Sequence, residues 1–158
     1  MISYERSRSL TDAVMAKVML DSLEQHYPGF RYWYANNVMP GLLTGRDVLL
    51  VARDGARIVG VALGKKTAAE TKLRCVRVLP DFQNVGVGLR LIDAMFDELG
   101  CDKPHCTVSE DMLHLYSRAF VNRYGFSLDD VRKGVYLPGK LEYSFNGTMQ
   151  PKAASWTH

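Results

Sequence analysis

The sequence predicts an α/β (α+β) fold built on a mixed, mostly antiparallel central sheet flanked by helices. Three observations carry that prediction. Short β-rich runs alternate along the chain with stretches of helical period. Asp54-Gly55 and Pro138-Gly139 are turn pairs set between neighbouring β-rich runs, with Asp54-Gly55 a strong hairpin signal. Between Leu73 and Leu99 a strand runs into a glycine-spaced loop and then directly into an amphipathic helix.

Taken in order, Ile2 to Arg6 reads as a first strand. Ser9 or Thr11 caps a helix to about His26, with Ala16, Leu20 and Leu23 inside and Asp12, Lys17, Asp21 and Glu24 outside. Pro28-Gly29 breaks it, and a shorter helix from Phe30 ends near Pro40-Gly41. Val48 to Ala52 and Ile58 to Leu63 form the hairpin, and Lys65 to Glu70 turns the chain into the strand from Leu73 to Leu79. The next helix carries Leu89, Ile92, Met95, Phe96 and Leu99 on one stripe and stops at Gly100. His105 to Ser109 reads as a strand. Ser109 or Asp111 caps a last helix with the stripe Met112, Leu115, Tyr116, Ala119 and Phe120, ended by Gly125. Phe126 to Leu128, Gly134 to Leu137 and Leu141 to Phe145 are the closing strands. Residues 1–147 read as one domain, and 148–158 as a flexible tail without period.

The strand–loop–helix at the centre is an anion site by construction. Unpaired amides at the head of a helix, with the positive end of its dipole behind them, converge on one point. Gly86 and Gly88 remove the Cβ atoms that would keep a phosphate off the backbone, and Asn84 tolerates a left-handed turn. A Walker loop is excluded because Leu89-Arg90 stands where Lys-Ser or Lys-Thr is needed. A dinucleotide fingerprint is excluded because Asp93 occupies the place of its third glycine.

What remains, Val78-Leu79-Pro80 followed by Gln83-Asn84-Val85-Gly86-Val87-Gly88, resembles the acyl-CoA pyrophosphate loop of the GNAT superfamily of N-acyltransferases. Asn84 replaces the glycine usual after Gln83. The element order β, α, α, β, β, β, α, β, α, β, β is that family's order, so the likeness spans nearly the whole chain. Tyr124-Gly125-Phe126 is similar to its helix-to-strand junction. The resemblance implies a sheet whose central strands splay apart. It also implies acetyl-CoA as co-substrate, pantetheine along Val76, Arg77 and Val78, and pyrophosphate on Gln83, Asn84, Val85, Gly86, Val87, Gly88 and Leu89.

Acetyl transfer to nitrogen requires a neutral amine, an oxyanion donor and a proton for the leaving thiolate. By resemblance the N–H of Val78 is the oxyanion donor. The family's acid, a tyrosine on the last helix, aligns with Val121 here, and an asparagine two turns earlier is His114. With the tyrosine absent, His114 becomes the candidate acid, whereas Tyr116 lies on the apolar stripe and reads as core. The strand glutamate that some relatives use as base is Lys72, which leaves Glu70 and Glu110 as candidates. Arg31, Tyr32 and Tyr34 are the candidate acceptor wall, with Trp33 packed. Cys75 lies too deep in its strand to carry an acyl group, so direct attack is expected.

Composition limits the remaining classes. Hydrophobic residues make up 47% and charged residues 23% of the 158 positions, ordinary values for one globular domain. No apolar run approaches a membrane span, and the N-terminal residues lack a secretory h-region. Three cysteines without framework spacing suit a reducing cytoplasm. Cys101, His105 and Cys106 lack a second pair to complete a zinc site, and no metal is expected. A net charge of +3 permits an anionic partner without arguing for nucleic acid. The expected partner is a small-molecule or protein amine, with a monomer or homodimer as the assembly. The rival readings are toxin-like acetylation of aminoacyl-tRNA and an acyl-CoA-binding module without turnover.

Overall fold

A computed structural model describes residues 1–149. The order is β1 (Ile2–Ser7), α1 (Leu10–Met19), a 3₁₀ turn (Asp21–Gln25), α2 (Phe30–Trp33), a π turn (Tyr34–Val38), α3 (Met39–Thr44), β2 (Asp47–Asp54), β3 (Arg57–Lys66) and β4 (Thr71–Val78). A 3₁₀ turn (Pro80–Phe82), α4 (Val87–Leu99), β5 (Cys106–Ser109), α5 (Leu113–Arg118) with a π turn (Ala119–Arg123), β6 (Leu128–Lys133) and β7 (Leu141–Phe145) complete it. The strands form an antiparallel sheet β1-β2-β3-β4 and a second antiparallel sheet β5-β7-β6.

Residues 48–52 of β2 are buried without alternation because both faces of this sheet are covered. On one face α4 packs Leu91, Ile92 and Met95 against Val48, Leu50 and Ala62. On the other, α1 and α2 place Ala16, Leu20, Phe30 and Trp33 over Leu49, Val51 and Leu63. Gly64 permits the first contact: a Cβ there would lie 2.6 Å from Met95 Sδ. Leu91 is fully buried, whereas Leu89, predicted on the buried stripe, is half-exposed at the loop end of α4.

Several predicted elements differ. Ser9 caps α1 through Asp12 N–H at 3.3 Å, but the α-helix stops at Met19 and tightens into a 3₁₀ turn short of His26. Asp12 lies inside, accepting from Ser7 Oγ at 2.5 Å and paired with Arg53. Pro40 does not end its helix, since Met39 N–H bonds Tyr34 O in the wider π turn and helix continues to Thr44. Residues 134–137 are not a strand: Gly134 turns at φ +76°, and the last hairpin pairs β6 with β7 around the loop instead. The tail begins packed, with Met149 buried and its N–H 3.1 Å from Asp130 Oδ2. Residues 150–158 lie outside the described residues.

Candidate active site

β4 and β5 run parallel and touch only where they start. Leu73 N–H donates to His105 O at 3.0 Å and His105 N–H to Thr71 O at 3.1 Å. Beyond that point each strand bonds away from the other, β4 to β3 and β5 to β7, which opens a cleft between the two sheets. A register shift at Leu63/Gly64 leaves Arg74 between the paired residues Leu73 and Cys75 and twists β4 at the mouth of the split. Leu79 N–H bonds Val59 O at 2.9 Å, so by the alternation of an antiparallel strand Val76 and Val78 aim their backbone groups away from β3. Two side chains confirm that direction: Tyr116 Oη donates to Val76 O at 2.9 Å and Gln83 Nε2 to Val78 O at 2.9 Å.

Past Val78 the chain passes through the Pro80–Phe82 turn to the head of α4. Asn84 (φ +63°) and Gly86 (φ +90°) wind the chain through left-handed turns, and no side chain among the described residues caps the helix. The first amide bonded inside the helix is Arg90 N–H, to Gly86 O at 3.0 Å, so those of Val87, Gly88 and Leu89 lack helical partners. Gly88 faces β4, and a Cβ on it would sit 3.7 Å from Val78 Cγ2, an ordinary contact.

The cleft encloses about 110 Å³. Leu20, Leu23, Phe30, Trp33 and Met112 make its apolar wall, and Lys72, Arg74 and Arg77 enter from β4. Arg74 lies 4.9 Å over the Trp33 ring and 3.3 Å from Asp47, an ion pair not aligned as a hydrogen bond. Both charges are buried, and removing the Asp47 carboxylate takes away the ion-pair partner that Arg74 and Arg46 share. Asp47→Ala is expected to cost about 3–5 kcal/mol of stability, measured by urea unfolding; a loss within 1 kcal/mol, taken as about the worth of an exposed pair, would contradict this arrangement.

β5 lines the cleft with Cys106 and Val108 as well as with polar groups. His105 and Thr107 line the cleft, and His105 Nε2 lies 2.7 Å from Ser144 Oγ. Burial and the neighbouring Lys72 ammonium hold His105 below its usual value. Lys72 is itself lowered by burial, against the pull of Glu70. Behind Thr107 lies Glu142, 3% exposed, hydrogen-bonded by Thr107 and by Tyr27 Oη at 3.2 Å. Burial pushes its carboxyl up to about 7.

The predicted site residues divide sharply. Val76 and Arg77 line the cleft and Val78 ends the same strand, while Gln83, Asn84, Val85, Gly86, Val87, Gly88 and Leu89 form the loop and helix head that follow in the chain, outside the cleft lining. His114 is exposed and outside the cleft lining, whereas Tyr116 from the same helix lines it. Burial raises the Tyr116 phenol to about 12. Glu70 sits at the β3–β4 turn, where burial raises its carboxyl but Lys65 at 2.6 Å and the Lys72 charge outweigh that and lower it. Glu110 Oε1 accepts from Leu141 N–H at 2.8 Å at the start of β7. Arg31 is exposed and bidentate to Asp21 at 2.5 and 2.8 Å, and Tyr32 points outward, 75% exposed. Tyr34 is fully buried, its hydroxyl donating to Ala13 O at 2.7 Å. The aromatic wall is therefore made by Phe30 and Trp33, one helical face away. Sequence reasoning missed Tyr27, Thr107 and Glu142; the alternation His105-x-Thr107 and Glu142-x-Ser144 was the available signal.

The profile of the acetyltransferase (GNAT) domain matches residues 45–128, more than half of the chain. No curated protein matches by sequence. Among solved structures, a GNAT-family acetyltransferase from Desulfovibrio desulfuricans superposes with TM-score 0.72 at 20% identity, covering 92% of this chain and 97% of that one. The ribosomal-protein-S18-alanine N-acetyltransferase of Escherichia coli superposes at 0.70 and 19% identity, covering 92% of both chains. PaiA N-acetyltransferase from Thermoplasma acidophilum, in complex with coenzyme A, superposes at 0.66 and 14% identity, covering 90% and 98%. With the split sheet, the glycine-spaced loop and the profile match in agreement, this chain belongs to the GNAT acetyltransferases.

Proposed function

We propose that the protein transfers acetyl from acetyl-CoA to a primary amine by direct attack, in a reducing compartment such as the cytoplasm. The observation that carries this reading is the passage from β4 into α4. The outward backbone of Val76 and Val78 is followed by the uncapped amides of Val87, Gly88 and Leu89, with Gly88 set against Val78. Pantetheine, an extended chain of amides, pairs with the first as an added strand, and the pyrophosphate is held by the second. The CoA complex of the PaiA structure supports acetyl-CoA as donor.

Val78 N–H serves as the oxyanion donor, and Tyr116 as the donor of a proton to the leaving thiolate. Its hydroxyl stands on the strand that pantetheine follows and, with its raised value, stays protonated at neutral pH. Cys75 lines the cleft rather than lying too deep to reach it, but burial pushes its thiol up to about 12, which disfavours the thiolate that an acyl-enzyme needs and favours direct attack. The acceptor enters between α2 and the β5–β7 floor. An apolar wall with basic groups from β4 suits an amine on an apolar or anionic body and disfavours polycations.

The test is thiol release from acetyl-CoA with a panel of amines: peptides with free Ala, Met or Phe N-termini, phenethylamine, spermidine and charged tRNA. Release with a peptide or monoamine above the spermidine rate is expected. CoA binding without release from any member would overturn the enzymatic reading in favour of a binding module.

A further inference from the structure

We propose that Glu142 is the terminal acceptor of the proton that the acceptor ammonium must lose, reached through the Thr107 hydroxyl. The proposal rests on the acetyl-transfer reading. Its ground is placement. Glu142 is the buried carboxylate behind the cleft floor, and the groups that hydrogen-bond it, Thr107 and Tyr27, both line the cleft. Asp47, the other buried carboxylate of this region, is tied to Arg46 at 3.0 Å and to Arg74. Glu70 is tied to Lys65 and Lys72 at the closed end of the split.

The surroundings of Glu142 fit a proton store. Thr107 comes from β5, Tyr27 from the segment before α2, and Tyr136 from the β6–β7 loop, its ring 4.8 Å from Tyr27. Arg132, its register partner on β6, turns its guanidinium to Asp130 at 2.8 Å. Arg74, from β4, acts on Tyr136. Burial outweighs the hydrogen bonds from Thr107 and Tyr27 and leaves the carboxylate poised near neutrality. His105, whose imidazole is lowered, lies at the closed end where β4 and β5 still pair.

The step balances simply. The ammonium N–H breaks as its proton passes to Thr107 Oγ1, whose own O–H proton moves to a Glu142 oxygen. The neutral amine then attacks the thioester carbon, the C–S bond breaks as the thiolate takes the Tyr116 hydroxyl proton, and the second proton on the acylated nitrogen returns to Tyr116 through solvent. Glu142 acts through Thr107 and positions that hydroxyl as acceptor. The variants are therefore Glu142→Gln, Thr107→Val and the conservative Thr107→Ser.

Two readouts decide it. In kcat/KM against pH, with the best amine of the panel, the parent should show an acid limb near pH 7. Glu142→Gln and Thr107→Val should lose about 10²-fold or more and that limb, while Thr107→Ser keeps both. The second readout needs no acceptor. A carboxyl raised from 4.5 to about 7 stabilises the fold fully below pH 4.5 and loses that contribution as pH rises through 7. Glu142→Gln should therefore match the parent Tm near pH 5 and exceed it above pH 8. A parent-like profile in Glu142→Gln, or a Tm difference that does not change with pH, overturns the proposal while leaving the acetyltransferase reading intact. Absence of thiol release by the parent itself ends both.

Discussion

Gly88→Val is expected to lower acetyl-CoA affinity by roughly 10²–10⁴-fold while the protein stays folded. The added Cβ meets Val78 Cγ2 at 3.7 Å, an ordinary contact, so the loop accepts it. Valine also replaces the poorest helix former short of proline in the first turn of α4. A pyrophosphate, however, would meet methyl groups where it needs bare backbone. Losing two charge-assisted hydrogen bonds at about 1.5–3 kcal/mol each gives the stated range. Gly86 is the poorer test, because its φ of +90° strains any side chain whatever the space. Calorimetry with acetyl-CoA, alongside a melting curve, reads the result. A folded Gly88→Val protein with parental affinity would remove the phosphate loop from the site.

Tyr116→Phe should lower kcat by about 10²–10⁴-fold with KM for acetyl-CoA little changed, the pattern of an interaction made in the transition state. The ring keeps its stack on Phe120 at 5.6 Å, so the fold loses only the hydroxyl and its bond to Val76 O. That bond is worth about 1 kcal/mol of stability, which thermal unfolding will separate from the catalytic effect. Because the phenol is raised to about 12 by burial, it stays a donor throughout the neutral range and contributes no limb to the pH profile there. His114→Ala, on the exposed side of α5, is expected to stay within a few-fold of the parent. A collapse of kcat in His114→Ala together with a parental Tyr116→Phe would reverse the two assignments.

The element order, the β2–β3 hairpin and the phosphate loop were legible in the chain because each depends on neighbours in sequence. Asp54-Gly55 sets a turn by its own backbone, with Gly55 at φ +62°. The strand–glycine–helix passage from Val78 to Val87 aims its amides through local geometry alone. Helix ends were less legible where one turn type could pass into another. Pro40 stops an α-helix but not the π turn that precedes α3.

The chemistry of the cleft was decided by tertiary structure. Tyr116 and His114 lie two residues apart on one helix, and only the docking of α5 against β4 shows that the tyrosine turns to the cleft and the histidine to solvent. Arg31, Tyr32 and Tyr34 looked like a wall by composition, yet the face that α2 presents carries Phe30 and Trp33. Glu142 reads as one polar residue of a short strand. It becomes a buried titrating group because β7 pairs between β5 and β6 and so places it beneath Thr107 and against Tyr27, 115 residues away in sequence. A turn or a row of amides depends on a few adjacent residues, and the sequence by itself determined both. A side chain's exposure, partners and proton affinity belong to its neighbours in space, and the chain names those only once it has folded.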